Sequence, residues 1–197
     1  MLEKEKYYKT LFKKLYLTLV IFAFCNFKTV FSDDKLSIIN NLNNINTLEF
    51  NFTQKTVNKK EEGMCFLSFP KKLRCNYSDN KQSILIVNNN DLYIYQKRYK
   101  KTYYYPLKNS ILKKILDKGE LINLIETGSL SYSEKYIYLT QINDNENKTI
   151  IIFDKENFNL IGWEIYDQLN KKTSFLMKIK NINKQISLKI FNLPSSY

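Results

Sequence analysis

The chain has no histidine. That removes the usual general base, the Ser-His and Cys-His catalytic pairs and the commonest metal ligand together. It has three cysteines, Cys25, Cys65 and Cys75, and no C-x-x-C pair. Neither a zinc ribbon nor a thioredoxin-type site is therefore available. Acids such as Glu49, Asp91 and Glu164 are present, but nothing in the spacing brings two of them together. These absences point to a protein that binds rather than catalyses, with no cofactor and no metal. Glycine (4) and proline (3) are also scarce, and no internal repeat or domain linker stands out.

What is present is apolar and basic. Hydrophobic residues make up 44% and aromatic residues 15% of 197 positions, enough for one folded domain plus a targeting segment. Asn, Lys, Ile and Tyr crowd the whole chain. AT-rich coding produces the same bias, so their numbers carry no functional argument. The net charge is +12, and taking away the six lysines and two glutamates of residues 1–32 leaves +8. A basic domain suits an anionic membrane surface or nucleic acid, although coding bias alone also yields it.

Five lysines in residues 1–14 precede the uncharged apolar run Leu15–Phe24, and Val30-Phe31-Ser32 follows. This is the layout of a secretory signal, with cleavage expected after Ser32. The run is short for a membrane span. An uncleaved anchor is the alternative. Lipidation of Cys25 is disfavoured by the bulky Phe24 before it. Residues 1–32 are thus read as a signal peptide and 33–197 as the exported domain, where a disulfide can persist.

Beyond Asp33-Asp34, Leu36, Ile39, Leu42 and Ile45 predict a helix. From Thr47 the period changes to two, as Leu48, Phe50 and Phe52 alternate with polar neighbours. Strand-like runs recur at Met64–Phe69, Lys72–Ser78, Ser83–Val87, Leu92–Gln96 and Thr102–Pro106. Helical spacing interrupts at Asn109–Leu116, with Gly119 as the expected stop, and Leu121–Ile125 reads as a second short helical turn. Strands are expected again at Glu134–Ile142, Thr149–Asp154, Leu160–Asp167, Ser174–Ile182 and Ser187–Phe191. The close spacing favours antiparallel neighbours. The expected fold is mainly β with a few helices, a curled antiparallel sheet or open barrel with helices over one face.

Four segments carry a family resemblance. They are Leu48-Glu49-Phe50-Asn51-Phe52-Thr53-Gln54; the hairpin from Gly63 through Phe69-Pro70-Lys71 to Arg74-Cys75-Asn76-Tyr77; Leu85-Ile86-Val87 followed by Asn90-Asp91-Leu92-Tyr93-Ile94-Tyr95; and Ile190-Phe191-Asn192-Leu193-Pro194. In this order the chain resembles the periplasmic outer-membrane lipoprotein carrier family (lipoprotein localization factors, LolA-like). The resemblance implies an unclosed β-barrel, or half-barrel, with a helical lid over an apolar cavity for acyl chains. It implies a periplasmic monomer with acylated lipoproteins as cargo, an inner-membrane lipoprotein-releasing transporter as donor and an outer-membrane acceptor. A membrane-anchored acceptor, or another lipid-binding protein of this fold, is the alternative. The expected lining is Leu48, Phe50, Phe52, Leu67, Leu73, Cys75, Tyr77, Tyr93 and Tyr95. Their alternation equally suits an ordinary packed core. Where the family has a lid-latching arginine before the hairpin proline, this chain has Phe69, so that role must move or vanish.

A hairpin symmetric about Pro70 sets Cys65 opposite Cys75, within reach of a disulfide; a pair of buried thiols is the other reading. The stretch from Gln96 to Tyr105 mixes cations with aromatic rings as a single-strand nucleic-acid platform does. In an exported protein it reads instead as a solvated hairpin turn or a contact for anionic headgroups, and no nucleic-acid partner is expected. If the segment 1–32 is a cleaved signal, N-terminal sequencing of protein from the cell envelope begins at or near Asp33. A full-length, membrane-embedded product would contradict it.

Overall fold

The computed structural model describes residues 31–108, 110–142 and 148–194, with side chains from residue 33. The signal segment lies outside the described residues. Residues 35–197 form one compact unit, distinct from residues 1–34, and that unit is described below.

Helix α1 (Phe31–Asn43) leads into six strands: β1 (Thr47–Lys55), β2 (Lys60–Ser68), β3 (Lys72–Tyr77), β4 (Ser83–Asn88), β5 (Asp91–Gln96) and β6 (Lys101–Pro106). Two helices follow, α2 (Ile111–Ile115) and α3 (Lys118–Thr127). Five more strands complete the sheet: β7 (Ser129–Tyr132), β8 (Tyr136–Ile142), β9 (Lys148–Asp154), β10 (Leu160–Tyr166) and β11 (Lys172–Ile182). The result is one eleven-stranded sheet in the order β6-β5-β4-β3-β2-β1-β11-β10-β9-β8-β7. Every pairing is antiparallel. Two meanders meet where β1 pairs with β11, and β6 and β7 are left as free edges. The sheet is therefore an open half-barrel, as its strand pattern implied. Helices α2 and α3 are the link that carries the chain from one free edge to the other.

One face of the sheet and all three helices share a single apolar cluster. It joins Ile38, Leu42 and Ile45 to Leu48, Phe50, Phe52, Leu67 and Leu73, and to Ile115, Leu116, Leu121, Leu124 and Ile125. The α1 stripe is rotated from the expected one. Ile38 is fully buried and Leu36 is 55% exposed, because the 38/42/45 spacing is the one that meets the sheet. The stop expected at Gly119 is also displaced. Asp117 ends the α2 region and its carboxylate accepts from the Glu120 N–H, which starts α3 with Gly119 inside the first turn. Ser129–Tyr132 is a strand that sequence patterning missed, and Ser187–Phe191 holds a 3-10 turn where a strand was expected.

Across the inward face runs a ladder of rings. Trp163 stacks on Phe175 (4.4 Å) and Phe175 on Phe52 (5.0 Å), and Phe52 meets Tyr77 edge-on (4.9 Å). Phe52 and Tyr77 are both paired with Gly63 on the strand between them. The missing side chain at Gly63 is what lets the rings meet above its backbone. A Cβ there would lie 2.1 Å from the Asn76 carbonyl oxygen and 2.7 Å from the Phe52 ring. Backbone on one side leaves little room to relax, so Gly63→Ala is expected to cost about 2 kcal/mol or more. A fall in the thermal midpoint checks this, and an unchanged midpoint would contradict the packing described.

Candidate functional site: an apolar inner face under a helical lid

Register decides which side chains share the inner face, because directly paired residues project to the same side. Leu48 pairs with Leu67, Leu67 with Leu73 and Leu73 with Val87. Phe50 pairs with Cys65 and Cys65 with Cys75. Leu48, Phe50, Phe52, Leu67, Leu73 and Cys75 therefore line one surface, and all are buried beneath the helices. Tyr77 sits at its margin, half-buried, donating its hydroxyl to Gln54 Oε1 at 3.3 Å. Burial, with Glu61 and Asp79 nearby, pushes that hydroxyl up to about 12, so it is neutral at physiological pH.

Tyr93 and Tyr95 do not belong to this lining. Val87 pairs with Leu92 and Leu85 with Ile94, so the inward side chains of β5 are Leu92 and Ile94. Tyr93 and Tyr95 face outward, where Tyr93 meets Tyr104 at 5.5 Å. The sequence Leu-Tyr-Ile-Tyr is apolar at every position, so alternation alone cannot choose the face; only pairing to β4 does.

Cys65 and Cys75 are joined by a disulfide, with Cα atoms 4.0 Å apart on directly paired positions. Both are buried in the inner lining. The bond ties β2 to β3 just behind their turn, Phe69-Pro70-Lys71, which contains a cis Phe69-Pro70 peptide.

That turn fastens the lid. Its Lys71 amide donates to the Leu116 carbonyl (2.8 Å), and Lys71 Nζ pairs with Asp117 Oδ2 at 2.9 Å. The Phe69 amide donates to the Asn46 carbonyl, beyond the end of α1. Phe69 packs on the core, and Lys118 Nζ lies 5.4 Å from the centre of its ring. The same ammonium donates to the Asn43 carbonyl (3.1 Å), joining the start of α3 to the end of α1. At the other end of these helices Lys35 Nζ donates to the carbonyls of Glu126 and Gly128. Phe69 thus takes part as a ring under a cation. The polar tie falls to Lys71 and Asp117, a pair that sequence reasoning missed because the partners are 46 positions apart in the chain. The Lys71 ammonium holds the Asp117 carboxyl below its ordinary pKa against a smaller desolvation effect, helped by the first amides of α3.

Arg74 has a different place. Its neighbours in β3, Leu73 and Cys75, point inward, so it projects outward, donating to the Ile190 carbonyl at 2.8 Å and to Asn76 Oδ1. It holds the C-terminal turn against the outer face, where Phe191 and Ile86 are buried. A cleft of about 660 Å³ also opens mostly on the outer face, between residues such as Asn51, Met64, Asn76 and Lys178. Its walls are mixed and polar, unlike the inner lining. No cluster of three potential metal ligands occurs among the described residues.

Solved structures share this fold at very low identity. An uncharacterized conserved protein from Thermus thermophilus matches with a TM-score of 0.54 and 6% identity, over 83% of this chain and 94% of that one. The Pseudomonas aeruginosa MucA/MucB complex matches with a TM-score of 0.50 and 9% identity, over 83% of this chain and 61% of that one. The Mycobacterium tuberculosis lipoprotein LppX matches with a TM-score of 0.49 and 7% identity, over 82% and 99%. No curated protein matches. The family model for the outer membrane lipoprotein carrier protein LolA matches residues 43–194, which spans every strand and both lid helices α2 and α3; the chain therefore belongs to that family.

Proposed function

We propose that this chain is a non-catalytic periplasmic carrier. In this reading it receives the acyl chains of lipoproteins from an inner-membrane releasing transporter and passes them to an outer-membrane acceptor. The observation that carries the reading is the inner face, where a continuous apolar surface, free of charged side chains, is covered by helices that join the two free edges of the sheet. Such a cover moves without breaking the sheet. Acyl chains entering beneath it leave water, at about 0.8 kcal/mol per methylene. Displacing the helices exposes Ile115, Leu116, Leu121 and Ile125, together with the part of the sheet they cover, unless cargo fills the gap. Membership of the carrier family supports the same reading.

The direct test is native purification from the envelope, followed by mass spectrometry of co-purifying lipid or acylated protein. Leu73→Glu places a carboxylate in the middle of the lining, where leaving it unpaired costs several kcal/mol. The variant is expected to lose cargo, whereas Leu73→Met, which keeps volume and apolarity, retains it. Retained cargo in a folded Leu73→Glu protein would contradict the assignment.

The latch makes a separate prediction. Lys71–Asp117 is partly exposed and worth about 1 kcal/mol or less, roughly fivefold in the ratio of open to closed lid. Because the folded pKa of Asp117 is depressed, its contribution is complete above the ordinary carboxylate range and is lost as pH falls through the lowered value. Uptake of a fluorescent acyl probe should therefore quicken in acid. Asp117→Asn keeps a good helix cap and should be fast at neutral pH, with that acid dependence flattened. An unaltered pH profile in Asp117→Asn would exclude this pair as the latch.

A further inference from the structure

The antiparallel order collects four described connections at one end of the half-barrel, β1–β2, β3–β4, β5–β6 and β10–β11, beside the end of β8 and the start of β9. The three most exposed large hydrophobic residues described all lie there. Leu169 (75% exposed) is in the β10–β11 turn, Ile142 (70%) ends β8, and Val57 (69%) is in the β1–β2 turn. Tyr99, half exposed, tops the β5–β6 connection. A single exposed apolar residue needs no explanation. Several at the tips of neighbouring turns, on one end of one molecule, do.

The same end is basic. Lys97, Arg98, Lys100 and Lys101 surround Tyr99 and are all exposed. Lys81 lies in the adjoining loop, and its carbonyl accepts from the Arg98 amide at 3.2 Å. None of these five cations has an ion pair among the described residues. The acids of the adjoining β1–β2, β3–β4 and β10–β11 turns and strand ends are already engaged. Glu61 and Glu62 pair with Lys59 and Lys60, and Glu164 with Lys172. Asp79 accepts from the amide and hydroxyl of Ser83, and Asp167 from the amides of Leu169 and Lys171. The bonds to Asp167 also hold Leu169 at the point of its turn. Lys35 of α1 lies at this end too. It reaches the Gly128 carbonyl, immediately before β7, whose first residue pairs near the end of β8.

We infer that this end of the half-barrel docks on an anionic phospholipid surface, with Val57, Leu169 and Tyr99 entering the interface and Lys81, Lys97, Arg98, Lys100 and Lys101 meeting the headgroups. Shallow apolar insertion combined with cations is the chemistry of reversible membrane association. Charge complementarity selects an anionic bilayer over a second copy of this basic chain, which would repel it. The inference is independent of the acyl-chain cargo proposed above and needs no lipoprotein to test.

The chain has one tryptophan, Trp163, and it is buried, so Leu169→Trp supplies a distinguishable reporter in the full chain. Mixed with vesicles of phosphatidylcholine containing phosphatidylglycerol, its emission should shift to the blue and be quenched by brominated acyl chains. Pure phosphatidylcholine vesicles should give neither change, and added salt should weaken both. Replacing Lys97, Arg98, Lys100 and Lys101 by Gln should lower partitioning by about 600-fold, each basic side chain near such a surface being worth about fivefold. Unchanged emission from position 169 on vesicles that sediment the chain would overturn the proposal, since binding would then run through another part. An equal response on pure phosphatidylcholine, or a shift that needs no vesicles and follows self-association, would overturn it as well.

Discussion

An open sheet with an apolar face has to be covered, and most of this structure follows from how that is done. Eleven strands that do not close leave an inner surface of leucine, phenylalanine and isoleucine side chains and two unpaired edges. Water on that surface costs about 25 cal/mol per Å². The chain meets the cost with the segment that must cross from β6 to β7 in any case. It is folded into α2 and α3 and laid across the face beside α1. Cover and connection are one element, so the covering is held at both ends by the sheet itself. A lid of this kind is displaced without unpairing a strand.

The distribution of polar groups follows from the same constraint. Among the described residues the buried polar side chains are only Ser83, Thr149 and Ser174. Charges are pushed to the outer face and the two ends. At one end a few of them, Lys71, Asp117 and Lys118, tie the lid to the β2–β3 turn with bonds that are individually weak and partly exposed. A small latch over a large apolar contact separates two roles. In the carrier reading proposed above, the apolar area would set how much is gained by filling the inner face, and the polar tie would adjust how readily the cover moves. At the opposite end Lys59, Lys60 and Lys172 are paired, while Lys81, Lys97, Arg98, Lys100 and Lys101 have no ion pair among the described residues.

Close packing on the inner face is accommodated by absences as much as by side chains. Phe52 and Tyr77 meet because Gly63 puts nothing between them. At Gly162, where φ is +155° and the register between β9 and β10 shifts, a Cβ would lie 2.3 Å from the Phe175 carbonyl oxygen. Two of the four glycines thus sit where the sheet bends or where rings must stack across it. The disulfide lies between these features and the latch turn, bracing the pair of strands that carries it.

Period-two alternation and turn residues determined most of the strands, and the helical spacing of 109–125 marked the place of the lid. The half-barrel and the inward set Leu48, Phe50, Phe52, Leu67 and Leu73 were legible for that reason: apolar and polar residues alternate there, and one face is dictated by water. Where alternation fails, sequence stops deciding. Asp91–Gln96 is apolar at four successive positions, so the sequence alone sets Tyr93 and Tyr95 inward, whereas pairing with β4 turns them out. Leu36 reads as a core residue on helical spacing, yet the sheet meets the stripe of Ile38. The pairing of Lys71 with Asp117 depends on two segments that only folding brings together. The convergence of Val57, Tyr99 and Leu169 on one end likewise follows from strand order, because long-range pairing, unlike local periodicity, is not written in any one stretch of the chain.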